Sequence, residues 1–397
     1  MQNERRSSGF SKGLLRTQQS PLHKQTPERM TAVITISLCM IVKNEEDTLG
    51  RCLDSVGRLA DELIIADTGS TDRTKEIASA YTDSVFDFPW QDDFSAARNF
   101  AFSRARMQYC LWLDADDVIL PGDLEAMLSL KETLSPQTDV VMMRYNTAFD
   151  AEGNPAFSYY RERLIRRGAG LLWKGAIHES IAPVGNVVYF DAAVTHKKLH
   201  PGDPDRNLRI FEKLIYEGKT LEPREQFYYA RELTYHGRDE EAADVLETFL
   251  ADGLGWVENN IEACRTLSQC YHRLGESRRA LSALLRSLAY GPPRAEICCD
   301  LGAWFFNRSD YLTAKYWYEQ ALSCTRNDRG GGFVIPDCYG YLPALQLCVC
   351  CYRLGDRAQA VAYNEMAGAI KPHSASYLFN RKFFEDTAAE ETTGPVS

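Results

Sequence analysis

Acidic side chains follow two short apolar segments of the chain. Asp67 follows residues 63–66, and three further aspartates, Asp114, Asp116 and Asp117, follow residues 109–113. An unpaired carboxylate is costly to bury, and the carboxyl ends of parallel strands form the edge where open α/β sheets bind ligands. An Asp-x-Asp there is suited to hold Mg²⁺ or Mn²⁺ together with substrate phosphates. These residues therefore favour an enzyme.

The elements that must position these carboxylates alternate between strand and helix. Strand patterns at 36–42, 63–66, 84–88 and 109–113 are separated by helical patterns that include 45–56 and 94–107. Alternation without hairpin signals predicts a mostly parallel, Rossmann-like α/β sheet. A hairpin of residues 140–148 and 159–166 then adds antiparallel strands. Two short strands at 187–189 and 194–196 close this domain near residue 200.

From residue 205 onward the pattern is helical and repeats. A Gly or Ser precedes an Ala by five residues at four places, Gly237/Ala242, Gly275/Ala280, Ser309/Ala314 and Gly355/Ala360. The second and third pairs are 34 residues apart, and an insertion at 327–336 lengthens the last interval. A 34-residue period predicts an all-α solenoid of tetratricopeptide type, which presents its surface to a peptide or protein. The exposed edges of the repeats are compatible with a homodimer.

Composition narrows the class of protein. A net charge of −10 argues against a nucleic-acid binder, which needs a basic face. The twelve cysteines lie scattered or adjacent in apolar stretches, which indicates reduced thiols in a cytoplasmic protein. Cys348 and Cys351 form a CxxC without a second ligand pair at zinc-site spacing. The longest apolar run, 31–42, is too short to span a bilayer, and no transmembrane segment is predicted.

These patterns together predict five segments. They are a disordered leader over 1–30, the α/β domain over 31–204, a helical linker over 205–221, helical repeats over 222–380 and a disordered tail over 381–397.

Two further motifs flank the acidic groups. Val42-Lys43-Asn44-Glu45 follows the first strand, where Glu45 can reach a ribose hydroxyl, or Asn44 and Glu45 can cap the next helix. Asp93 or Ser95 starts a helix that carries Arg98 toward the same edge, where it can pair with a diphosphate or with an aspartate. The Gly-rich fingerprints of dinucleotide enzymes and of P-loop NTPases are absent from the sequence.

The order VKNE, ADTGSTD, DDFSAARN and LDADD resembles glycosyltransferase family 2, which has the GT-A fold and uses nucleotide-diphosphate sugars. WKGAIHE at 173–179 and the trailing repeats resemble its bacterial branch of sublancin-type peptide S-glycosyltransferases. The resemblance to the catalytic domain covers about residues 34–200.

The resemblance implies roles for individual residues. Asp67 receives the uracil ring, Asp114 contacts the ribose or the water shell of the metal, Asp116 binds the metal and Glu179 is the general base. His196 completes the metal site, with His178 as its rival. The implied nucleotide-sugar-binding set is Val42, Asn44, Glu45, Asp67, Arg98, Asp114 and Ala115, and the further candidates are Asp93, Trp173 and His178.

The implied function is a metal-dependent, inverting glycosyltransferase. It moves a sugar from a UDP-sugar, with Mn²⁺ or Mg²⁺ as cofactor, to a peptide or protein side chain presented by the repeats. One alternative is transfer to a cell-envelope polysaccharide or a lipid-linked acceptor. Another is a nucleotidyltransferase, although VKNEEDT is not a Gly-rich triphosphate loop. A non-catalytic repeat scaffold is the third, and the intact Asp114, Asp116 and Glu179 argue against it.

Overall fold

A single mixed sheet carries the acidic strand ends. The computed structural model describes residues 33–149, 153 and 155–392, with side chains as far as 387, so the predicted leader lies outside the described residues. Within them the strand order is β3-β2-β1-β4-β7-β6-β8-β5. The strands are β1 (Ile36–Val42), β2 (Glu62–Asp67), β3 (Val85–Asp87), β4 (Tyr109–Trp112), β5 (Asp117–Val118), β6 (Val140–Phe149), β7 (Pro155–Arg166) and β8 (Val187–His196).

The predicted mixed topology is confirmed. β1 lies between β2 and β4 and pairs in parallel with both, whereas β7 pairs antiparallel with β4 and with β6. Alternate side chains of β1 enter different cores: Leu38 and Met40 pack in one, and Cys39 packs in another with Ala101. Because both faces of β1 are covered, its sequence reads as a continuous apolar run.

Two predicted element limits were wrong. The strand patterns at 187–189 and 194–196 belong to one strand, β8, which pairs in parallel with β6 and contains an irregularity where the register passes from Phe190 to Ala193. Asp191, which interrupts the apolar pattern there, accepts a hydrogen bond from Arg144 on β6 at 3.3 Å. The first helix begins at Leu49 and not at residue 45, because side chains of the 70–74 turn bind the preceding backbone.

Helices surround the sheet and then form the remainder of the chain. They are α1 (Leu49–Val56), α2 (Thr74–Tyr81), α3 (Phe94–Arg104), α4 (Pro121–Thr133), α5 (Arg206–Tyr216), α6 (Pro223–Tyr235), α7 (Asp239–Asp252), α8 (Val257–Arg273), α9 (Ser277–Arg286), α10 (Ala295–Phe306), α11 (Tyr311–Ser323), α12 (Tyr341–Arg353), α13 (Arg357–Ile370) and α14 (Ala375–Thr392). No described helix is both long enough and apolar enough to cross a membrane.

The predicted repeat register is confirmed by the turns between paired helices. The pairs α6–α7, α8–α9, α10–α11 and α12–α13 turn at Gly237, Gly275, Ser309 and Gly355, whose φ values of 71°, 80°, 61° and 85° are left-handed. The alanine five residues after each turn is at most 1% exposed. Glycine suits a left-handed turn, and alanine allows close helix packing. The glycine (or serine) and the alanine are therefore both explained by the helix–turn–helix repeat.

The end of the chain corrects the predicted tail. Helix α14 continues to Thr392, across most of the segment 381–397 that was predicted to be disordered. Its Phe384 is buried against Cys351 and Ala360, so helix formation there is coupled to packing on the last repeat. All twelve cysteines are free, and all except Cys324 are buried, in agreement with the reduced-thiol prediction. The other domain limits remain predictions.

The left-handed turns yield a stability prediction. Gly275→Ala should lower the free energy of unfolding by about 1–2 kcal/mol, because a Cβ disfavours the left-handed region although no atom lies within 4 Å of its position. Ser309→Gly should raise it by up to about 1 kcal/mol, since the strain is relieved. Thermal unfolding followed by circular dichroism measures both.

The matched control is Gly122→Ala. Gly122 lies in the first turn of α4, has equally open space around its Cβ position and no positive φ, so this substitution should not destabilise the protein. Equal losses from Gly275→Ala and Gly122→Ala would contradict the conformational account.

Candidate functional site

The two acidic groups lie at one edge of the sheet, on either side of β1. Asp67 is the last residue of β2, and Asp114 follows β4 by two residues. Both strands are parallel to β1 and adjacent to it, so their carboxyl ends meet at the same edge. This edge is where open α/β sheets bind ligands.

Asp67 presents one occupied and one vacant oxygen. Its Oδ2 accepts hydrogen bonds from the backbone N–H groups of Gly69 at 3.1 Å and Ser70 at 3.0 Å. Its Oδ1 is buried and has no donor among the described residues, and the side chain as a whole is 2% exposed. A buried acceptor without a donor is costly, so Asp67 is suited to an N–H group of a ligand.

The loop after β1 is tied to the loop after β2. Asn44, in a left-handed conformation with φ 54°, accepts from the backbone of Thr71 at 2.8 Å, and the Glu45 N–H donates to Thr74 at 2.7 Å. Val42 accepts from the N–H of Thr68 at 2.9 Å. Asn44 and Val42 thus fix the backbone of this edge.

The Glu45 carboxylate accepts a hydrogen bond from Thr48 at 2.6 Å. Burial raises the pKa of Glu45, the Thr48 bond opposes this, and the charges of Asp116 and Asp114 raise it further. The Glu45 carboxylate is therefore close enough to the acidic segment after β4 for the charges of that segment to affect it.

Asp117 connects the acidic segment 114–117 to the neighbouring strands, a role that the family resemblance does not assign to it. It is fully buried, accepts from the Tyr145 hydroxyl at 2.9 Å and from the backbone N–H of Asp114 at 3.1 Å, and pairs with Arg163 at 3.3 Å. Arg163 is itself fully buried, with its guanidinium 3.9 Å from the Trp112 ring centroid. The available signal was an arginine directly before the apolar pair Leu164-Ile165 in the strand segment RERLIR.

Asp116 and His196 form a potential metal site beside Asp117. The antiparallel pairing of β5 and β8 sets Asp117 opposite His196, and His196 Nδ1 lies 3.3 Å from Asp116 Oδ1. One ligand atom from each of the three residues lies within 4.8 Å of the others. Hydrogen bonds with Asp116 and Asp117 raise the pKa of His196 to about 10. This oxygen and nitrogen donor set fits Mn²⁺ or Mg²⁺.

Arg98 is buried and joins two of the predicted site residues. Its Nη2 donates to Asp114 Oδ1 at 2.7 Å and its Nε donates to Glu179 Oε1 at 2.6 Å. The guanidinium carbon lies 4.7 Å and 4.9 Å from the ring centroids of Trp112 and Trp173. Burial raises the pKa of Asp114, but the charge and hydrogen bond of Arg98, together with the charges of Arg163 and Arg161, outweigh burial and hold that pKa below its usual range.

The remaining predicted residues have other partners. Asp93 caps α3, because its Oδ1 accepts from the Ala96 N–H at 2.9 Å. Ala115 is buried in the turn after β4. His178 donates to or accepts from Glu232 on α6 at 2.9 Å, so the structure places His196, and not His178, in the Asp116–Asp117 cluster.

Comparison with known proteins gives a family match. The family model described as Glycosyl transferase family 2 matches residues 37–183. The lipopolysaccharide core biosynthesis glycosyltransferase LpsC of Rhizobium meliloti is 30% identical over 48% of this chain and 70% of LpsC. The SPbeta prophage-derived glycosyltransferase SunS of Bacillus subtilis is 28% identical over 54% of this chain and 52% of SunS.

A TPR repeat-containing protein of Synechococcus elongatus is 47% identical over 26% of this chain. The matched region is 25% of the length of that protein, so the chain spans between a quarter and about two thirds of these three relatives.

The buried Arg98 yields a stability prediction. Arg98→Met should lower the free energy of unfolding by about 3 kcal/mol, because it leaves the mostly buried Glu179 carboxylate and the partly exposed Asp114 carboxylate without their partner. Urea unfolding measures the loss. Arg104→Met on the same helix is the control, since Arg104 is exposed and only covers the Phe86 and Phe100 rings. A comparable loss in both variants would show that the ion-pair bridge is not the cause.

Proposed function

Because the chain belongs to glycosyltransferase family 2, we propose that it is a metal-dependent, inverting enzyme that moves a sugar from a UDP-sugar to a peptide or protein side chain. The proposal rests on one observation: three features of the site lie together at one edge of the sheet. They are a vacant buried acceptor on Asp67, a cation-type donor set on Asp116 and His196, and Glu179 held beside them through Arg98 and Asp114.

The nucleoside is the first part of the proposed substrate. Uracil carries an imide N–H, which fits the buried, donor-free Oδ1 of Asp67. Glu45, on the adjoining loop, would accept from a ribose hydroxyl through its carboxylate, which Thr48 orients by a hydrogen bond of 2.6 Å. A dinucleotide is a weaker candidate, because the Gly-rich phosphate turn is absent from the sequence.

The diphosphate is the second part. A divalent cation, when bound, neutralises the negative charge of the departing nucleoside diphosphate, so that no general acid is required. Asp116 and His196 would hold that cation, with side chains 17% and 26% exposed. Asp117 would orient His196, whose Nδ1 lies 3.3 Å from Asp117 Oδ1. Asp117 is itself fixed by Tyr145, Arg163 and the Asp114 N–H.

Glu179 is the proposed general base. As positive charge develops at the anomeric carbon, the acceptor attacks from the face opposite the leaving group and passes its proton to a carboxylate. The Glu179 side chain is 11% exposed, and Arg98 fixes one of its oxygens. The fixed oxygen orients the carboxylate, which leaves the second oxygen to receive the proton.

Two acceptor classes have support. The helical repeats and the family resemblance support a peptide or protein acceptor. Part of the repeat surface is covered by the chain's own insertion, where Phe333 packs on Phe227 of α6, so a peptide would use the remainder. A cell-envelope polysaccharide or lipid-linked acceptor is the second candidate, supported by the similarity to LpsC, a glycosyltransferase of lipopolysaccharide core biosynthesis. Label from a radioactive UDP-sugar entering protein favours the first, and label entering lipid or polysaccharide favours the second.

The metal site yields a binding prediction. UDP should bind more tightly with Mn²⁺ than with EDTA, and Asp116→Ala should weaken the Mn²⁺-supported affinity by more than about 10-fold, because a metal ligand is lost. Isothermal calorimetry with UDP, and with ADP for comparison, measures this. Asp54→Ala, at an exposed position on α1, is the control and should bind UDP as the unsubstituted protein does. No binding of UDP would remove the proposed donor.

The base yields a kinetic prediction. Glu179→Gln should lower kcat by about 10²–10⁴-fold, the usual contribution of a positioned base, and leave UDP affinity unchanged. Release of UDP from UDP-sugars measures kcat. Glu125→Gln, on the exposed face of α4, should have no effect. A loss of only about twofold in Glu179→Gln would assign the role to another residue.

A further inference from the structure

Glu179 lies in a short loop whose base is closed by its own backbone. Lys174 and Ser180 form an isolated antiparallel bridge, with both N–H···O distances at 3.1 Å. Just before the bridge, Trp173 exchanges two hydrogen bonds of 3.0 Å with the Asn99 side chain on α3. The catalytic domain thus fixes both ends of this loop, and Glu179 lies next to the bridge residue Ser180. Further support reaches the preceding residue, His178, from outside that domain.

That support comes from α6, the first helix of the repeat region. His178, the residue before Glu179, stacks on the Tyr228 ring with 4.2 Å between centroids and an interplanar angle of 16°. Its Nε2 lies 2.9 Å from Glu232 Oε1, and Glu232 also accepts from Asn207 Nδ2 at 3.1 Å. The His178 side chain is therefore held by a ring on one face and by a carboxylate at its edge.

The backbone of His178 is held by the same helix. Its carbonyl oxygen accepts two hydrogen bonds of 3.2 Å from the Nε and Nη2 of Arg224. The Arg224 guanidinium in turn lies 4.7 Å from the Tyr228 ring centroid. Arg224, Tyr228 and Glu232 are spaced by four residues, so they form one face of α6. These three residues are called the α6 clamp below.

The clamp holds a conformation that a histidine does not readily adopt. His178 has φ 51°, in the left-handed region that is sterically unfavourable for residues with a Cβ. Since His178 and Glu179 share a peptide bond, a change in His178 ψ or φ would redirect the Glu179 side chain. A displacement of about 1 Å at a reacting group can lower a rate about 10²-fold.

We propose that the α6 clamp positions Glu179 for proton transfer, so that the repeat region completes the catalytic site and is more than a platform for the acceptor. Arg224, Tyr228 and Glu232 are positioning residues that act through His178. The proposal rests on the proposed function, in which Glu179 is the base.

The test compares Tyr228→Ala with Tyr228→Phe in the full chain. The readout is UDP release, with Mn²⁺ present, from the fastest of UDP-glucose, UDP-galactose and UDP-N-acetylglucosamine. Tyr228→Ala removes the stacked ring and should lower kcat about 10- to 100-fold with donor KM within about twofold. Tyr228→Phe keeps the ring and should retain kcat. Equal kcat in Tyr228→Ala and the unsubstituted protein would overturn the proposal.

A double-substitution cycle separates positioning from simple domain docking. In the Glu179→Gln background, adding Tyr228→Ala should cause no further loss beyond about twofold, because the base is already absent. Losses that multiply would mean that the clamp acts elsewhere and would overturn it. If Glu179→Gln itself has normal kcat, the proposed function fails. If Glu179→Gln is impaired but Tyr228→Ala is not, only the clamp proposal fails.

Two further measurements test the proposal if Tyr228→Ala does not fold, or if the protein releases no UDP from the donors tried. Glu232→Gln replaces Tyr228→Ala if the latter unfolds, and it should lower kcat about 3- to 10-fold in the presence of Glu179 only. Hydrogen exchange needs no substrate: the amides of Lys174 and Ser180 should exchange faster in Tyr228→Ala than in Tyr228→Phe. Unchanged exchange of both amides would overturn the proposal. Absent UDP release from all three donors would count against the proposed function, and the exchange rates would then test by themselves whether the α6 clamp holds the loop.

Discussion

A buried guanidinium that packs against two indole rings connects the parts of the candidate site. Arg98 pairs with Asp114, which extends the sheet edge, and with Glu179, which lies on a loop 65 residues further along the chain. Burial of a charge is costly unless it is paired and hydrogen-bonded. The two carboxylates and the rings of Trp112 and Trp173 meet that requirement together. Loss of any one of them would leave the others in an unfavourable environment, so the contacts form as a unit.

A second buried ion pair supports the candidate metal site in the same way. Arg163 and Asp117 are both fully buried, and Asp117 contacts Tyr145 and His196 as well. The pairing of β5 with β8 brings these residues together, although β5 has only two residues. A strand this short contributes little by itself. Its value lies in the register that it imposes on Asp116, Asp117 and His196.

The repeat region is coupled to the sheet domain by polar contacts as well as by packing. The α6 clamp binds His178, Lys213 on α5 pairs with Asp92 at 2.5 Å, and the Tyr189 hydroxyl donates to the Arg329 carbonyl at 3.0 Å. Ala176 and Ile177, in the loop that carries Glu179, share a hydrophobic cluster with Phe211 of α5. Helices α5 and α6, which follow the sheet domain in sequence, therefore pack against the loop that carries Glu179.

Local patterns in the sequence determined the parallel strands, the polar strand ends and the repeat register. Apolar runs report burial on both faces of a strand, and a glycine five residues before an alanine reports a left-handed turn and a close helix contact. Patterns of this kind also placed Asp67 and Asp114 at one edge, because adjacent parallel strands end together.

Only the tertiary structure decided which charged residues meet. The choice between His178 and His196 depended on β5–β8 pairing across 79 residues, and the joining of Arg98 to Glu179 spans 81. The single bulged strand β8 and the helix that replaced the predicted tail likewise depend on partners distant in sequence. Side-chain periodicity reports which face of an element is buried. The periodicity does not identify the element that covers the buried face, because that partner is determined only when the elements pack together.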